Sequence, residues 1–411
     1  MKTELCCPEL SRRAVLGAAL TGLAGATLST RVAFAAEGPA YTGDTLVVIS
    51  LRGGFDGLSA IAPIGDPGYY QARPAIGVPK NLVIGGDGTF GLHPALAPIL
   101  PLWKSGKLAA VHAVGQPNPT RSHFAAMEAM ENAAPGTSIR SGWLDRMLGL
   151  TGATAPLAGV SLGHAMPARL MLGAADDVAM TGIDDFTLAG NDKRPMAAAL
   201  RAMYADAPAA LAAPARSADR ALSATQQIKG LAYAVSSGAA YPGTELGAAL
   251  RDVARLVKSK AGLVTAAVDC GDWDMHEGLG TVVKGQRMFD NLTELAQALA
   301  AFATDLGDAL NTVTVLTISE FGRRVQENAS RGADHGHGNA MLLLGGGIRG
   351  GRVYANWPGL SPGALVAGDL AATTDYRSVI GEILQKRCGF GALDGVFPGV
   401  RPSAFGLAAA K

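Results

Sequence analysis

The sequence predicts an α/β fold: a doubly wound, largely parallel sheet with helices on both faces, carrying a helical insertion. Three observations predict it. Strand-length apolar runs alternate with helix-like segments along most of the chain. Side chains of metal-ligand type, Asp56, Asp274, His276 and Glu320, fall just past the ends of those runs, where such sheets collect their working residues. From Asp176 to about Leu246 the strand signals vanish into alanine-rich sequence, as an inserted helical cap would read.

Taken in order, Thr45–Leu51 (TLVVISL) reads as a strand, and Arg52-Gly53-Gly54-Phe55-Asp56-Gly57 turns the chain at its end. His93–Trp103 reads as a proline-interrupted helix and Leu108–Val114 as a strand. A loop over 115–120 leads into a helix from Arg121/Ser122 to Met130, then one over Trp143–Leu150. Leu157–Ser161 and Arg169–Leu172 read as short strands. Inside the insertion, at about 176–246, helical runs lie near Pro195–Tyr204 and Ser217–Ala234. Alternation resumes with a helix at Thr244–Ser259, a strand at Leu263–Val268 and a helix across Val282–Leu310. The β-branched run Thr312–Ile318 is a buried strand, Met341–Leu344 another, and Tyr376–Arg387 a last helix.

With 411 residues, 48% of them hydrophobic, the chain can fill one large core. A net charge of +1 speaks against a nucleic-acid partner, which would ask for a clustered basic excess. Ser11-Arg12-Arg13 precedes an apolar stretch reaching about Leu28, and Ala33-Phe34-Ala35 offers a peptidase site. Residues 1–35 thus read as a twin-arginine export signal, with the mature chain starting at Ala36, the export machinery as partner and a periplasmic or secreted destination. The apolar run is too short for a stable membrane anchor. Cys6 and Cys7 fall in the removed segment; Cys270 and Cys388 are too few for a disulfide scaffold, though sequence leaves open whether they pair. A buried, inert Cys270 is favoured over a catalytic thiol. The glycine run holds a G-x-G-x-x-G (Gly345, Gly347, Gly350), but no helix follows to hold a pyrophosphate.

Two clusters carry the chemistry. Asp272-Trp273-Asp274-Met275-His276 follows the Leu263–Val268 run; Asp334-His335-Gly336-His337-Gly338 follows a polar loop after Ser319-Glu320-Phe321-Gly322. Asp274 and His276 stand two apart, so in an extended segment both face one ion, and Asp334 with His335 offers a second pair. His337 reads equally well as a ligand or as exposed loop. Arg121 and the helix N-terminus beside Ser122 favour an anion, although Ser122 reads as well as a plain N-cap.

LRGGFDGL (51–58), HPAL (93–96), RSHF (121–124), GWLDR (142–146), DWDMH (272–276), SEFGRR (319–324), DHG (334–336) and GGGIRGG (345–351) occur in one order. In these motifs the chain resembles the DUF1501 family of secreted bacterial proteins, a member group of the alkaline phosphatase and sulfatase-like superfamily, over residues 41–405. The resemblance implies one or two divalent ions (Zn, Ca, Mg or Mn) held by Asp and His at strand ends. It implies Asp56 as the first-strand ligand, Asp274, His276, Asp334 and His335 as later ones, and Ser122 or Thr120 as nucleophile. His123 would be a ligand or base. In the superfamily an Asp-His-Gly follows its strand directly; here Glu320 stands in that place. Either Glu320 takes the Asp role, or the loop brings Asp334 and His335 back. Arg52, Arg121 and Arg323 are the expected holders of an anionic group. The expectation is a metal-dependent hydrolase of small phosphate or sulfate esters; the alternative is a non-catalytic binding or assembly factor that keeps the fold. One cleft should then gather Asp56, Asp274, His276 and Asp334, with His335 facing it and Glu320 beneath.

Overall fold

The computed structural model describes residues 41–411 except Pro119 and Asp192. The export signal, Cys6 and Cys7 lie outside the described residues. The strands are β1 (Thr45–Leu51), β2 (Ile61–Ala62), β3 (Gly91–Leu92), β4 (Leu108–Gly115), β5 (Gly159–Leu162), β6 (Val178–Met180), β7 (Thr265–Cys270), β8 (Val313–Ile318), β9 (Asn339–Gly345), β10 (Val353–Ala355) and β11 (Thr374–Asp375). The main sheet runs β10-β4-β9-β8-β1-β7-β5-β6, with β11 on β4; β2 and β3 pair separately.

The central strand β1 is parallel to both neighbours, Val47 pairing Ala266 on one side and Val315 on the other. Its residues alternate between two cores, because successive side chains leave opposite faces of a strand. Val47 and Ile49 enter one core with residues of helices Glu245–Lys258 and Arg287–Leu306; Leu46 and Val48 enter the other with Trp143–Thr151 and Tyr376–Lys386. Burial on both faces explains why the strand reads as an unbroken apolar run. Among the described residues no helix is long and apolar enough to cross a membrane.

The sheet is largely parallel, as expected, but β9 runs antiparallel to both β8 and β4. Its N-terminal end therefore meets the C-terminal ends of its neighbours, which sets the loop before Asn339 at the same edge as those after β1, β7 and β8. Arg169–Leu172 is no strand: Arg169–Met171 forms a 3₁₀ turn. Leu170 and Met171 are consecutive and both fully buried in one core, which a strand's alternation would forbid. A short strand, β6, lies inside the stretch expected to hold none, and the second helix there starts at Ala209 rather than Ser217.

Two histidines are locked neutral in the interior. His112 on β4 donates from Nε2 to Ile61 O (3.1 Å) and accepts Ala113 N–H at Nδ1 (2.7 Å). His93 does the same with Thr281 O (3.1 Å) and Ala95 N–H (3.1 Å). Burial lowers each to about 4. The unfolded chain takes up these protons first as pH drops, so their contribution is complete above about 6.5 and is lost on the way down to about 4. Each ring should remove up to about 3 kcal/mol over that window. Urea midpoints measured from pH 7 to 4.5 should fall steeply, and a flat profile would refute the assignment.

Candidate metal centre

The site is assembled by one buried guanidinium. Arg323 donates from Nε to Gly54 O (2.7 Å), from Nη1 to Ala333 O (3.0 Å), and from Nη2 to Trp273 O (2.9 Å), to Asp274 Oδ1 (2.6 Å) and to Gly53 O. It thereby ties the loops after β1, β7 and β8 to the one before β9. The approach is close enough that a Cβ on Gly53, at φ +114°, would sit 2.5 Å from Asp274 N. With its side chain fully buried and each of its three nitrogens bonded to protein oxygens, Arg323 is out of reach of a substrate anion, contrary to expectation.

Three imidazoles converge on Asp274. His123, first residue of the helix His123–Asn132, points Nδ1 at Glu320 Oε1 (2.8 Å). His276 points Nδ1 at Asp334 Oδ1 (2.8 Å), and His335 points Nδ1 at the Arg121 carbonyl (2.8 Å). Carboxylates and carbonyls only accept, so in the neutral rings each Nδ1 carries the proton and each Nε2 is a bare lone pair. Those lone pairs face one another: His276 Nε2 lies 2.9 Å from His335 Nε2, and the two lie 3.1 and 3.2 Å from Asp274 Oδ1. His123 Nε2 is 3.5 Å from Asp274 Oδ2, buried and without a hydrogen-bond partner. Ligand atoms of His123, Asp274 and His335 all fall within 4.8 Å of one another.

Lone pairs packed against a carboxylate repel unless a cation or proton lies among them. Imidazoles whose outer N–H is fixed by a carboxylate or carbonyl are the usual arrangement around a metal, so this donor set fits a divalent ion. Burial raises the Asp274 carboxyl, but the Arg323 hydrogen bond and charge, with His335 and His276, outweigh it and hold it at about 2. Its charge is therefore present at any working pH. The hydrogen bond from His276 holds Asp334 low as well, while burial lowers His335. Phe321, which offers no ligand atom, packs its ring against His335 and His123 (centroids 4.6 and 4.8 Å).

The expected cleft thus gathers Asp274, His276, Asp334, His335, Glu320 and His123, and leaves out Asp56. Both Asp56 oxygens face Arg73 (2.6 and 3.0 Å), and Ser59 also donates to one of them (2.6 Å). Glu320 turns toward His123 and Gly53 N–H (2.9 Å), and Asp334 toward His276, so both stand behind imidazoles. Ser122 begins its helix without a side-chain capping bond, so the N-cap reading finds no bond in its favour. Arg121 binds Asp369 (2.6 Å), and Arg52 binds Glu131 (2.6 Å) and Asp269 (3.1 Å). His337 is turned away, to Gln116 O (2.6 Å). Cys270 and Cys388 are free and buried, and burial pushes the Cys270 thiol up to about 12.

Sequence reading passed over Asn328. Its Nδ2 reaches Asp334 Oδ1 (3.1 Å) and His276 O (2.7 Å), while its Oδ1 accepts Ser330 and Gly332 N–H (both 3.0 Å). The signal was an asparagine opening a turn that closes on a glycine.

Solved structures resembling this chain include the lipoteichoic acid synthase LtaP from Listeria monocytogenes (TM-score 0.34, 11% identity, covering 82% of this chain and 74% of that one). A protein in the alkaline phosphatase superfamily from Vibrio parahaemolyticus gives 0.40 and 11%, covering 89% and 73%. The PsFucS1 sulfatase from Pseudoalteromonas sp. gives 0.36 and 11%, covering 93% and 72%. Likenesses this loose carry no functional argument. No curated protein matches the sequence. Residues 103–381, well over half of the chain, match the family described as protein of unknown function (DUF1501), and the chain belongs to that family.

Proposed function

We propose that this protein is a metal-dependent hydrolase of phosphate or sulfate esters, exported folded by the twin-arginine route and working in the periplasm or outside the cell. One observation carries the metal: three Nε2 lone pairs, each made available by a fixed Nδ1–H, meet at Asp274. A donor set of imidazoles with one carboxylate suits zinc, or less well manganese; calcium and magnesium prefer all-oxygen sites. A bound divalent ion supplies a Lewis acid for the ester oxygen and a lowered pKa for an attacking hydroxyl or water. The chain's own part is orientation. Glu320, Asp334 and the Arg121 carbonyl fix the three rings, and Arg323 holds Asp274 ionised and in place. Ser122, between the Arg121 carbonyl and His123 in sequence, is the proposed nucleophile, with Thr120 the alternative.

The pairing of Arg52, Arg121 and Arg323 with protein acids favours a second reading, a metal-holding protein without turnover. Metal content of the mature chain, purified without chelators, and hydrolysis of aryl phosphate and aryl sulfate after zinc or manganese loading separate the two. The hydrolase reading expects metal near one equivalent and turnover that Ser122→Ala removes while metal stays. Metal without turnover leaves the second reading; neither metal nor turnover ends both. Cell fractionation checks location, and mature protein confined to the cytoplasm would rule the export proposal out.

A further inference from the structure

Outside the imidazole cluster, a second group of charged side chains lies at the same edge of the sheet. Arg52, one residue past β1, places Nη2 2.6 Å from Glu131 Oε1 and Nε 3.1 Å from Asp269 Oδ2 on β7. Arg169 Nε stands 3.6 Å from Glu131 Oε2, and His164 Nε2 stands 3.3 Å from Asp269 Oδ2. Two guanidiniums face two carboxylates, so the pairing leaves no excess cation for a substrate. Glu131 is 2% exposed, and its Oε1 is sealed from solvent with no aligned hydrogen-bond donor, so the Arg52 charge is what balances it. A buried ion pair adds little stability over apolar side chains of the same size. What this one fixes is a position.

Glu131 is the next-to-last residue of the helix that begins at His123. Of the three imidazoles, His123 is the one that a helix delivers. His276 and His335 sit on the loops that Arg323 gathers, and none of the Arg323 bonds reaches that helix. Arg52 makes the missing tie, because its main chain belongs to the gathered loops: its N–H bonds Cys270 O (2.9 Å) and its O accepts Trp273 N–H (3.2 Å). The next residue closes a circuit. Gly53 N–H donates to Glu320 Oε1 (2.9 Å), and the same oxygen accepts the His123 Nδ1–H (2.8 Å). His123 is thus held twice from one short segment, at its ring through Glu320 and at the far end of its helix, about 12 Å along the axis, through Glu131. Tyr376 and Arg146 also hold carbonyls at that far end, those of Met130 and Asn132, but they do so from other helices rather than from the metal loops.

We propose that Arg52 and Glu131 are positioning residues of the metal centre: their ion pair sets the helix so that His123 Nε2 reaches the ion, completing a centre that His276, His335 and Asp274 alone would leave one imidazole short. The inference rests on the metal reading above. It gives the Arg52 pairing a part in the centre, where an anion holder was expected. A helix turn is stiff, so a shift at Glu131 is passed to His123 as a tilt of the whole helix.

Cobalt(II) serves as the probe, because its visible absorption changes with the number and kind of its ligands. His123→Ala supplies the spectrum of a centre lacking that imidazole. Glu131→Gln keeps the size of the side chain and removes its charge. It should weaken cobalt binding about tenfold, as loss of an outer partner does, and move the spectrum of the loaded protein toward that of His123→Ala. Arg52→Lys, too short to span both carboxylates, should act in the same direction. In the His123→Ala background Glu131→Gln should cost no further affinity, since its effect passes through that imidazole. A pair that only stabilised the fold would lower the melting temperature of the metal-free protein and leave the loaded spectrum as in the parent. That result overturns the inference, as do losses that add in the double variant. Unchanged cobalt affinity in Glu131→Gln sinks this inference alone; a parent that takes up no cobalt sinks the metal reading with it.

Discussion

Replacing Arg73 by Met should cost about 3–5 kcal/mol, the usual consequence of removing one partner from a buried ion pair. Arg73 and Asp56 are both buried, and the guanidinium also donates from Nε to Val325 O (3.0 Å) and from Nη2 to Arg324 O (2.8 Å). The substitution orphans a carboxylate and two carbonyls at once. Its clearest signature is in the sign of the pH dependence. In the native protein burial raises the Asp56 carboxyl, but the Arg73 charge and hydrogen bonds, with Ser59, pull it below its ordinary value. That contribution is present above the unfolded pKa and is lost as pH falls. Without Arg73 only the Ser59 hydrogen bond and the more distant Arg323 charge oppose burial, which is the largest influence; the folded pKa rises, and the variant loses stability as pH rises. Asp56→Leu combined with Arg73→Met should recover much of the loss, because no charge is then stranded. Urea midpoints for the three proteins at pH 5 and pH 8 decide it; a single variant as stable as the parent would show that the pair contributes nothing.

Asp56 also shows where sequence reading stops. A carboxylate past a strand end reads the same whether it awaits a metal or an arginine, and its partner comes 17 residues later in an unremarkable loop. The adjacent arginines 323 and 324 are equally opaque. One is buried and gathers four loops, while the other reaches Asp369 and Ala367 O near the surface. Neighbouring side chains leave an extended chain on opposite sides, and nothing in the pair says which turns inward. The strands were legible because burial on both faces forces apolar runs, and their ends pointed to the DWDMH and DHG loops. The direction of β9 was not legible, since an apolar run reads alike both ways. Yet that reversal is what sets Asp334 and His335 at the same edge as Asp274.

Asp274→Asn should weaken metal binding more than any other single change at the cluster, by well over the 10–100-fold typical of losing an outer partner. Asparagine can still accept from Arg323, so the loops stay gathered, but the one charge set among three neutral imidazoles is gone. Glu320→Gln tests the layer behind. It keeps an acceptor for His123 Nδ1–H and removes the charge that raises the ring's basicity, so a loss of about tenfold is expected. Acidification separates the contributions further. With Asp274 held at about 2, protons compete for the metal only at the imidazoles, and burial of His335 delays its protonation to lower pH. Metal should therefore leave in the range where histidines titrate, long before Asp274 does. Competition against a chromogenic zinc chelator gives the affinities, and melting of the metal-free proteins controls for folding. If Asp274→Asn held zinc as tightly as the parent, the convergence of His123, His276 and His335 would be a proton-sharing network and the metal centre would have to be given up.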